Sequence, residues 1–377
     1  MIHLDHLATT PLAPVARTAM LAVMDASVIP LARTRAHAAG RYGEDLLWQA
    51  NGTIGALVGA PAEAVTLTSG ATEANHLAIR GIAAMAPPGR DTIVISALEH
   101  PCVHNAAVMA ASTHGLSVRI APVGTDGQID LAALGALMDE RVALVSVQAA
   151  NHEIGTIQPI TAVAAAAKVV GALFHCDASQ APGLVPLALA DGIDLVTLSA
   201  HKIHGPQGIG ALVVQPSPPI ALAPLLPDGD PSRLLRAGTP PLMLAAGFAA
   251  AASAVSTRDP AQLAARRNQL ATGLAGIAPA FTPTTASSPR LPHVLHGKLP
   301  GIDTALLAHT VGTQVIIGTG AACAASTREP SPLLKGLGWT AMDRASSLRL
   351  SVGADTTAGD IDRALKIIAN TLQDCTL

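Results

Sequence analysis

Between about residues 60 and 215 the chain repeats one pattern: a short apolar run, a polar or ionisable residue at its end, then a stretch rich in small helix formers. Segments 64–68, 91–96, 118–122, 142–148, 173–176, 194–199 and 209–214 read as strands. Helices are expected to open at 69–73 and run to about 84, and to span 160–170. Strands alternating with helical segments predict a mostly parallel sheet covered on both faces, and apolar runs that barely alternate agree with strands buried on both sides. The expected fold class is α/β.

In an open parallel sheet the ligand crevice lies outside the carboxyl ends of the strands. Five strand ends here carry polar groups: Ser69 and Thr72, His100, Asn151 and His152, Asp177 and Gln180, and Ser199 with His201 and Lys202. Any one of them reads equally well as an ordinary loop residue, but five together predict a site.

Composition removes several functions. Six aromatic residues in 377 and a net charge of −3 leave neither a stacking platform nor a basic footprint for nucleic acid. A mean hydropathy of +0.42 raises the possibility of a membrane span. A long uncharged stretch, between Arg236 and Arg258, opens Ala-Gly-Thr-Pro-Pro and is then dominated by alanine, so 242–255 reads as a buried helix and no membrane association is expected. The N-terminal residues show no basic region followed by an apolar one, which makes a cytoplasmic location the expectation. Cys102, Cys176, Cys323 and Cys375 are too far apart to suggest a disulfide framework or a structural metal site.

The strand-end residues suggest a specific chemistry. Ser-Gly-Ala-Thr at a strand-to-helix turn offers backbone N–H groups, a hydroxyl and a helix dipole to an anion, although Ser and Thr also cap helices for structural reasons. Lys202 follows a buried strand, and a lysine in a desolvated pocket can form a Schiff base. Asp177, between Cys176 and Ala178, calls for a cationic partner. An anion cradle, a lysine and a buried carboxylate together match the needs of pyridoxal phosphate.

The motifs also carry a resemblance. Leu-Asp-His-Leu-Ala-Thr-Thr-Pro (4–11), Thr-Ser-Gly-Ala-Thr-Glu (68–73), Glu-His (99–100), Asn-His-Glu-Ile-Gly-Thr-Ile-Gln-Pro (151–159), His-Cys-Asp-Ala-Ser-Gln (175–180), Ser-Ala-His-Lys-Ile-His-Gly-Pro-Gln-Gly (199–208), Arg-Ala-Gly-Thr (236–239) and Arg-Leu-Ser-Val-Gly (349–353) occur in this order. They resemble the cysteine desulfurases of the NifS/IscS type, in the class V aminotransferase branch of fold-type I pyridoxal-phosphate enzymes. The resemblance implies a large cofactor domain (15–245) and a smaller α+β domain made of 1–14 with 246–377. In the smaller domain, helices near 260–275, 303–311 and 358–373 flank strands near 314–317 and 347–352.

It also implies roles. Lys202 holds the cofactor covalently and moves the Cα proton. Asp177 pairs with the pyridine nitrogen, Gln180 with the phenolic oxygen, and His100 stacks on the ring as acid or base. Ala71, Thr72, Ser199 and His201 bind the phosphate, Thr239 reaches the phosphate of a neighbouring subunit in a homodimer, and Asn151 and His152 contact cofactor or substrate. Arg349 takes the substrate carboxylate, a role its bidentate fork suits independently. Cys323, on a loop of small residues (318–331), is the expected nucleophile and persulfide carrier, working as thiolate. The implied reaction converts L-cysteine to L-alanine and passes sulfur to an acceptor protein, for iron–sulfur clusters or another thiolation. Selenocysteine lyase, or another β-elimination or transamination, uses the same scaffold; a cofactor-binding assembly scaffold of weak activity is the non-enzymatic reading.

The chain departs from the family pattern in four places. His152 stands where a second Asn is usual, Pro-Asp-Gly-Asp-Pro-Ser-Arg (227–233) replaces a glycine-rich segment, Thr-Gly-Ala-Ala-Cys replaces Ser-Gly-Ser-Ala-Cys, and Ile29-Pro30 replaces Asn-Pro. None of these removes a group the chemistry requires.

Overall fold

The structure, a computed structural model, describes residues 1–26, 36–227, 235–284, 288–319 and 331–377. Cys323, Ile29, Pro30 and positions 228–233 of the altered segment lie outside the described residues. The chain starts with β1 (Ile2–Leu4), α1 (Pro14–Met24) and α2 (Ala38–Gly55). It continues with β2 (Val65–Thr68), α3 (Ala71–Ala84), β3 (Thr92–Ser96), α4 (Pro101–His114), β4 (Ser117–Ala121), α5 (Leu131–Ala136) and β5 (Val142–Ser146). Then come α6 (Ile160–Val169), β6 (Leu173–Asp177), β7 (Leu195–Ser199), β8 (Gly210–Val214) and α7 (Leu242–Ala254).

Strands β2 to β8 form one sheet in the order β2-β8-β7-β6-β5-β3-β4. The pairs from β4 through β7 are parallel, while β8 runs antiparallel to both β7 and β2. The connection from β7 to β8 is too short for a crossover helix, so β8 must return antiparallel. Both faces are buried. Val94, Val145, Val196 and Val213 join one core cluster, and Ile93, Ile95, Leu144 and Leu212 join another on the opposite face. That alternation is why the strands carry no polar face in sequence.

The rest of the chain is α8 (Pro260–Ile277), β9 (Thr282–Pro283), β10 (Val294–Lys298), α9 (Thr304–Val311), β11 (Val315–Thr319), α10 (Pro332–Gly336), α11 (Ala341–Ala345), β12 (Ser347–Ser351) and α12 (Ala358–Thr371). Its sheet has the order β1-β11-β12-β10-β9, and β1 adds parallel to β11 with Ile2 opposite Val315. Leu4, Leu270, Leu348, Leu350, Ile361 and Ile368 fill its core. The expected boundary at 245/246 falls inside α7, whose Phe248, Ala251 and Ala252 pack in the large-sheet core. Packing passes from one core to the other between Val255 and Leu263. Leu333, Leu334 and Trp339 also return to the large-sheet core from the second half of the chain. Among the described residues no helix is long and apolar enough to cross a membrane.

Buried histidines are an unusual part of both sheets. His175 on β6 sits between Ser146 Oγ at 2.8 Å and Thr197 Oγ1 at 3.0 Å, and burial pushes its pKa down to about 4. His296 on β10 lies between Thr284 Oγ1 and Ser347 Oγ; burial, then the nearby Arg349, push it to about 3. Such groups stay neutral when folded but take up protons near pH 6.5 when unfolded, so their contribution is complete above that pH and fades as pH falls towards their folded values. Each accounts for on the order of 3 kcal/mol at neutral pH. Urea unfolding is therefore expected to show stability falling steeply between pH 6.5 and 4, and His175→Gln should reduce that slope by about one proton if the variant folds.

Candidate active site

The carboxyl edge of the large sheet is built around a glycine contact. Gly210, the first residue of β8, pairs with Thr68 on one side and Ser199 on the other. A Cβ on Gly210 would lie 2.6 Å from the carbonyl carbon of Gly70, so only glycine lets the turn into α3 settle on the sheet here. The first turn of α3, with Ala71 and Thr72, is thereby held beside Ser199. The Ser199 hydroxyl is buried and has no hydrogen-bond partner among the described residues. An unsatisfied hydroxyl next to a helix N-terminus fits a bound phosphate. Glu73 closes the turn by accepting from the Ser69 N–H at 2.7 Å and from Arg236 Nε at 3.1 Å. Burial opposes its charge, but these hydrogen bonds outweigh burial and hold its pKa below the usual carboxylate value.

Asp177 ends β6 as a buried carboxylate whose hydrogen bonds, among the described residues, come from neutral groups. Its Oδ1 accepts from the Ser179 N–H at 2.9 Å and the Ser179 hydroxyl at 2.6 Å, and its Oδ2 accepts from Asn75 Nδ2 at 2.8 Å. A carboxylate held this way suits a protonated ring nitrogen. His100 caps α4: its Nδ1 accepts the Cys102 N–H at 3.2 Å and lies 3.0 Å from Cys102 Sγ. Its ring meets that of His152 edge-on, with centroids 5.0 Å apart. Burial lowers the His100 pKa, Asp177 works against that and Lys202 adds to it. His152 is pushed well below the usual value by burial, then by His100, Lys202 and Arg349. Both rings are neutral near pH 7.

The loop after β5 is fixed from within. Asn151 Oδ1 accepts from the N–H groups of Glu153 and Ile154 at 2.8 Å, and its Nδ2 donates to Leu98 O at 3.2 Å. The amide expected to contact cofactor or substrate is thus committed to the turn that presents His152. Two carboxyl groups border the site. Burial pushes Glu99 up to about 8 against the hydrogen bonds from Ser96 Oγ and the Gln148 N–H, and pushes Glu153 up to about 7. Near neutral pH both groups titrate, so protons are stored close to the strand ends.

The N-terminal segment completes the arrangement. Lys202 Nζ donates to Leu7 O and Ala8 O, each at 2.7 Å, and Gln180 Nε2 donates to Leu7 O at 3.0 Å. His201 Nδ1 lies 3.0 Å from Thr9 Oγ1; burial and then Lys202 push its pKa to about 4. A small cleft on the flank of Lys202 is lined by Thr10, Gln180, His204, Arg258 and His293 among others.

Arg349 lies at the junction of the two sheets. Its Nε and Nη2 donate to Asp5 at 2.8–3.1 Å, and its Nη1 donates to His152 O at 3.1 Å. The side chains of this pair are only 5% and 10% exposed. The fork expected to take a substrate carboxylate is therefore turned mainly on Asp5, and Nη1 is the arm left with a further N–H among the described contacts. A Cβ on Gly318, opposite Arg349 in the β11–β12 pair, would lie 2.8 Å from both Arg349 Nε and Asp5 Oδ1. Glycine at this position makes room for the ion pair.

Residues 71, 72, 100, 151, 152, 177, 180, 199, 201, 202 and 349 gather at or beside the strand ends, whereas Thr239 is exposed on this chain and joins no cluster. Sequence reading missed Asp5, Asn75, Thr9 and Glu153. Asp5 and Thr9 stood in a motif already noticed, but Asn75 looked like any polar helix residue.

The sequence model of the family described as aminotransferase class-V matches residues 2–364. A cysteine desulfurase of Rhodobacter capsulatus is 35% identical over 379 residues, covering 99% of this chain and 97% of that protein. A solved NifS-like protein superposes with a TM-score of 0.89 at 26% identity, over 99% of both chains. A protein named SspA, solved in complex with cysteine, superposes at 0.81 with 25% identity over 93% of this chain and 99% of that one.

The buried pair gives a direct test. Asp5→Ala strands a buried guanidinium and is expected to cost about 3–5 kcal/mol in urea unfolding at pH 7, whereas an exposed ion pair would cost under about 1 kcal/mol.

Proposed function

The chain belongs to the class-V aminotransferase family, and within it we propose the following reading of its site. The protein is a cysteine desulfurase that converts L-cysteine to L-alanine and passes on the sulfur. The single observation that carries the cofactor assignment is the buried, unpartnered Ser199 hydroxyl beside the first turn of α3, with Lys202 and Asp177 at the neighbouring strand ends.

Pyridoxal phosphate fits these groups: Ser199, His201, Ala71 and Thr72 would hold its phosphate, Asp177 its ring nitrogen, Gln180 its phenolic oxygen and Lys202 its aldehyde carbon. When bound it supplies an electron sink for the bonds broken at the substrate. His100 would lie over the ring. Thr239, exposed on this chain, contributes to the phosphate of a second copy in a homodimer. Arg349 orients the substrate carboxylate through Nη1, with His152 and the Asn151 turn shaping that side.

Lys202 Nζ takes the Cα proton. The Cys323 thiolate then attacks the substrate sulfur: an S–S bond forms, the C–S bond breaks, and its electron pair stays with carbon, which is protonated to give alanine. The Cys323 persulfide passes its outer sulfur to a thiol of an acceptor protein, for iron–sulfur cluster assembly or another thiolation. Cys323 follows Thr319 by four residues, a reach of up to about 14 Å. The flanks of its segment meet the site, since Gly318 abuts Arg349 and the Ser331 hydroxyl donates to Glu153 Oε2 at 2.9 Å. Cys102, Cys176 and Cys375 are buried free thiols, all with pKa values raised by burial, which suits a reducing compartment such as the cytoplasm and disfavours each as nucleophile.

With L-cysteine and a thiol reductant, wild type is expected to release sulfide and alanine in equal amounts. Cys323→Ser should abolish sulfide release while keeping the visible absorbance of the bound cofactor, and Lys202→Ala should lose both that absorbance and at least about 100-fold in rate. Sulfide release undiminished in Cys323→Ser removes this cysteine from the mechanism, and a colourless wild type removes the cofactor.

A further inference from the structure

Beneath the His100 ring runs a chain of hydrogen bonds with only one consistent direction. Asn75, fully buried on α3, has a single Nδ2 that serves two partners: Asp177 Oδ2 at 2.8 Å and Cys102 Sγ at 3.3 Å. Both are acceptors for an amide N–H, so its two protons are spent and its Oδ1 is left buried without a partner. That unsatisfied oxygen has a cost, and the bonds made by Nδ2 offset it.

Cys102 continues the chain. Its sulfur accepts from Asn75 and from the Thr72 hydroxyl and lies 3.0 Å from His100 Nδ1, while its backbone N–H also points at Nδ1, from 3.2 Å. A backbone N–H can only donate, so Nδ1 must present its lone pair. The thiol remains a thiol and can only donate there too, because burial, and then Asp177, push its pKa up to about 12. Two donors thus converge on one ring nitrogen, and the imidazole proton must sit on Nε2.

We propose that Asn75 and Cys102 are positioning residues that tie His100 to Asp177 and hold its ring in the neutral Nε2–H form, so that His100 serves the reaction as a hydrogen-bond donor and ring partner, not as the acid–base group. This rests on the desulfurase reading for the word "reaction" only; the tautomer itself stands apart from it. To become imidazolium the ring would have to add a proton at Nδ1, against two donors. The charged and titratable groups facing it pull in different directions: Asp177 from β6 favours the cation, whereas Lys202 after β7 and burial oppose it, and His152 and Glu99 are neighbours from β5 and β3. Proton transfer at the substrate then falls to Lys202, the base already placed there.

The test is imidazole ¹⁵N NMR of ¹⁵N-histidine protein, assigned through His100→Gln and followed from pH 8 to 5, with and without pyridoxal phosphate. Wild type should show His100 with an unprotonated Nδ1, a protonated Nε2 and no titration above pH 6. Cys102→Ala removes one donor and should raise the His100 midpoint by about 0.5–1 in pH, and Cys102→Ser, which restores a donor, should bring it back. Asn75→Ala should raise it too, and the double variant should give less than the sum of the singles because both act along one chain. A protonated Nδ1 in wild type overturns the proposal, as does a midpoint in Cys102→Ala that matches wild type or one that Cys102→Ser fails to restore. The readout needs no turnover, so loss of desulfurase activity in an assay would leave it intact.

Discussion

The buried pair between Asp5 and Arg349 is the contact on which the site's geometry turns. It joins residues 344 apart in sequence, fixes the segment that follows β1, and so places the Leu7 and Ala8 carbonyls against Lys202 and Gln180. Through Nη1 it also holds His152 O, and thus the loop after β5. Buried ion pairs seldom add net stability over apolar packing; here the pair sets position, because the strand that ends just before Asp5 is only three residues long and cannot locate itself by its own ladder. Gly318 belongs to the same device, since any side chain there would occupy the space of the guanidinium.

Around this anchor the site is kept mostly uncharged. His100, His152 and His201 lie below their usual pKa, and Glu99 and Glu153 above theirs, all chiefly through burial. Such an interior makes the charges that remain effective: a guanidinium and a hydrogen-bonded carboxylate act over longer range where few ions screen them. A neutral His100 suits a chain with six aromatic residues, because an uncharged imidazole is the flat face such a composition still offers to a planar ligand.

The sheet and the strand-end residues were legible because they depend on local pattern: apolar runs, a polar stop, a helix former. The seven strands of the large sheet were found with ends shifted by one or two residues. Helix α4 went unassigned because its cap is a histidine followed by Pro101, instead of the Ser, Thr, Asp or Asn that mark a start. The position 245/246 lies within α7, which is apolar on every side and so gives no sign in sequence of which core it joins. Asp5 and Arg349 could not be paired from sequence, as nothing local to either names the other; Asn75 was hidden for the same reason. Arg349 shows the limit of reading roles from residue type, since a fork suited to a substrate carboxylate is here turned on the protein's own.

The parallel pairing of β1 with β11 has a consequence for the order of events during synthesis. Residues 2–10 are made before the large sheet, yet their strand partner at 315–319 and their ion-pair partner at 349 are made after it. The large sheet can collapse while the chain is still growing, since its strands lie within 65–214. Lys202 then waits until residue 349 is made before the carbonyls that hold it are fixed in place. Contacts of such separation form late and slowly, so the nascent chain carries a folded sheet well before it carries a finished pocket. Completing the small sheet is then the step that separates a folded protein from a competent one.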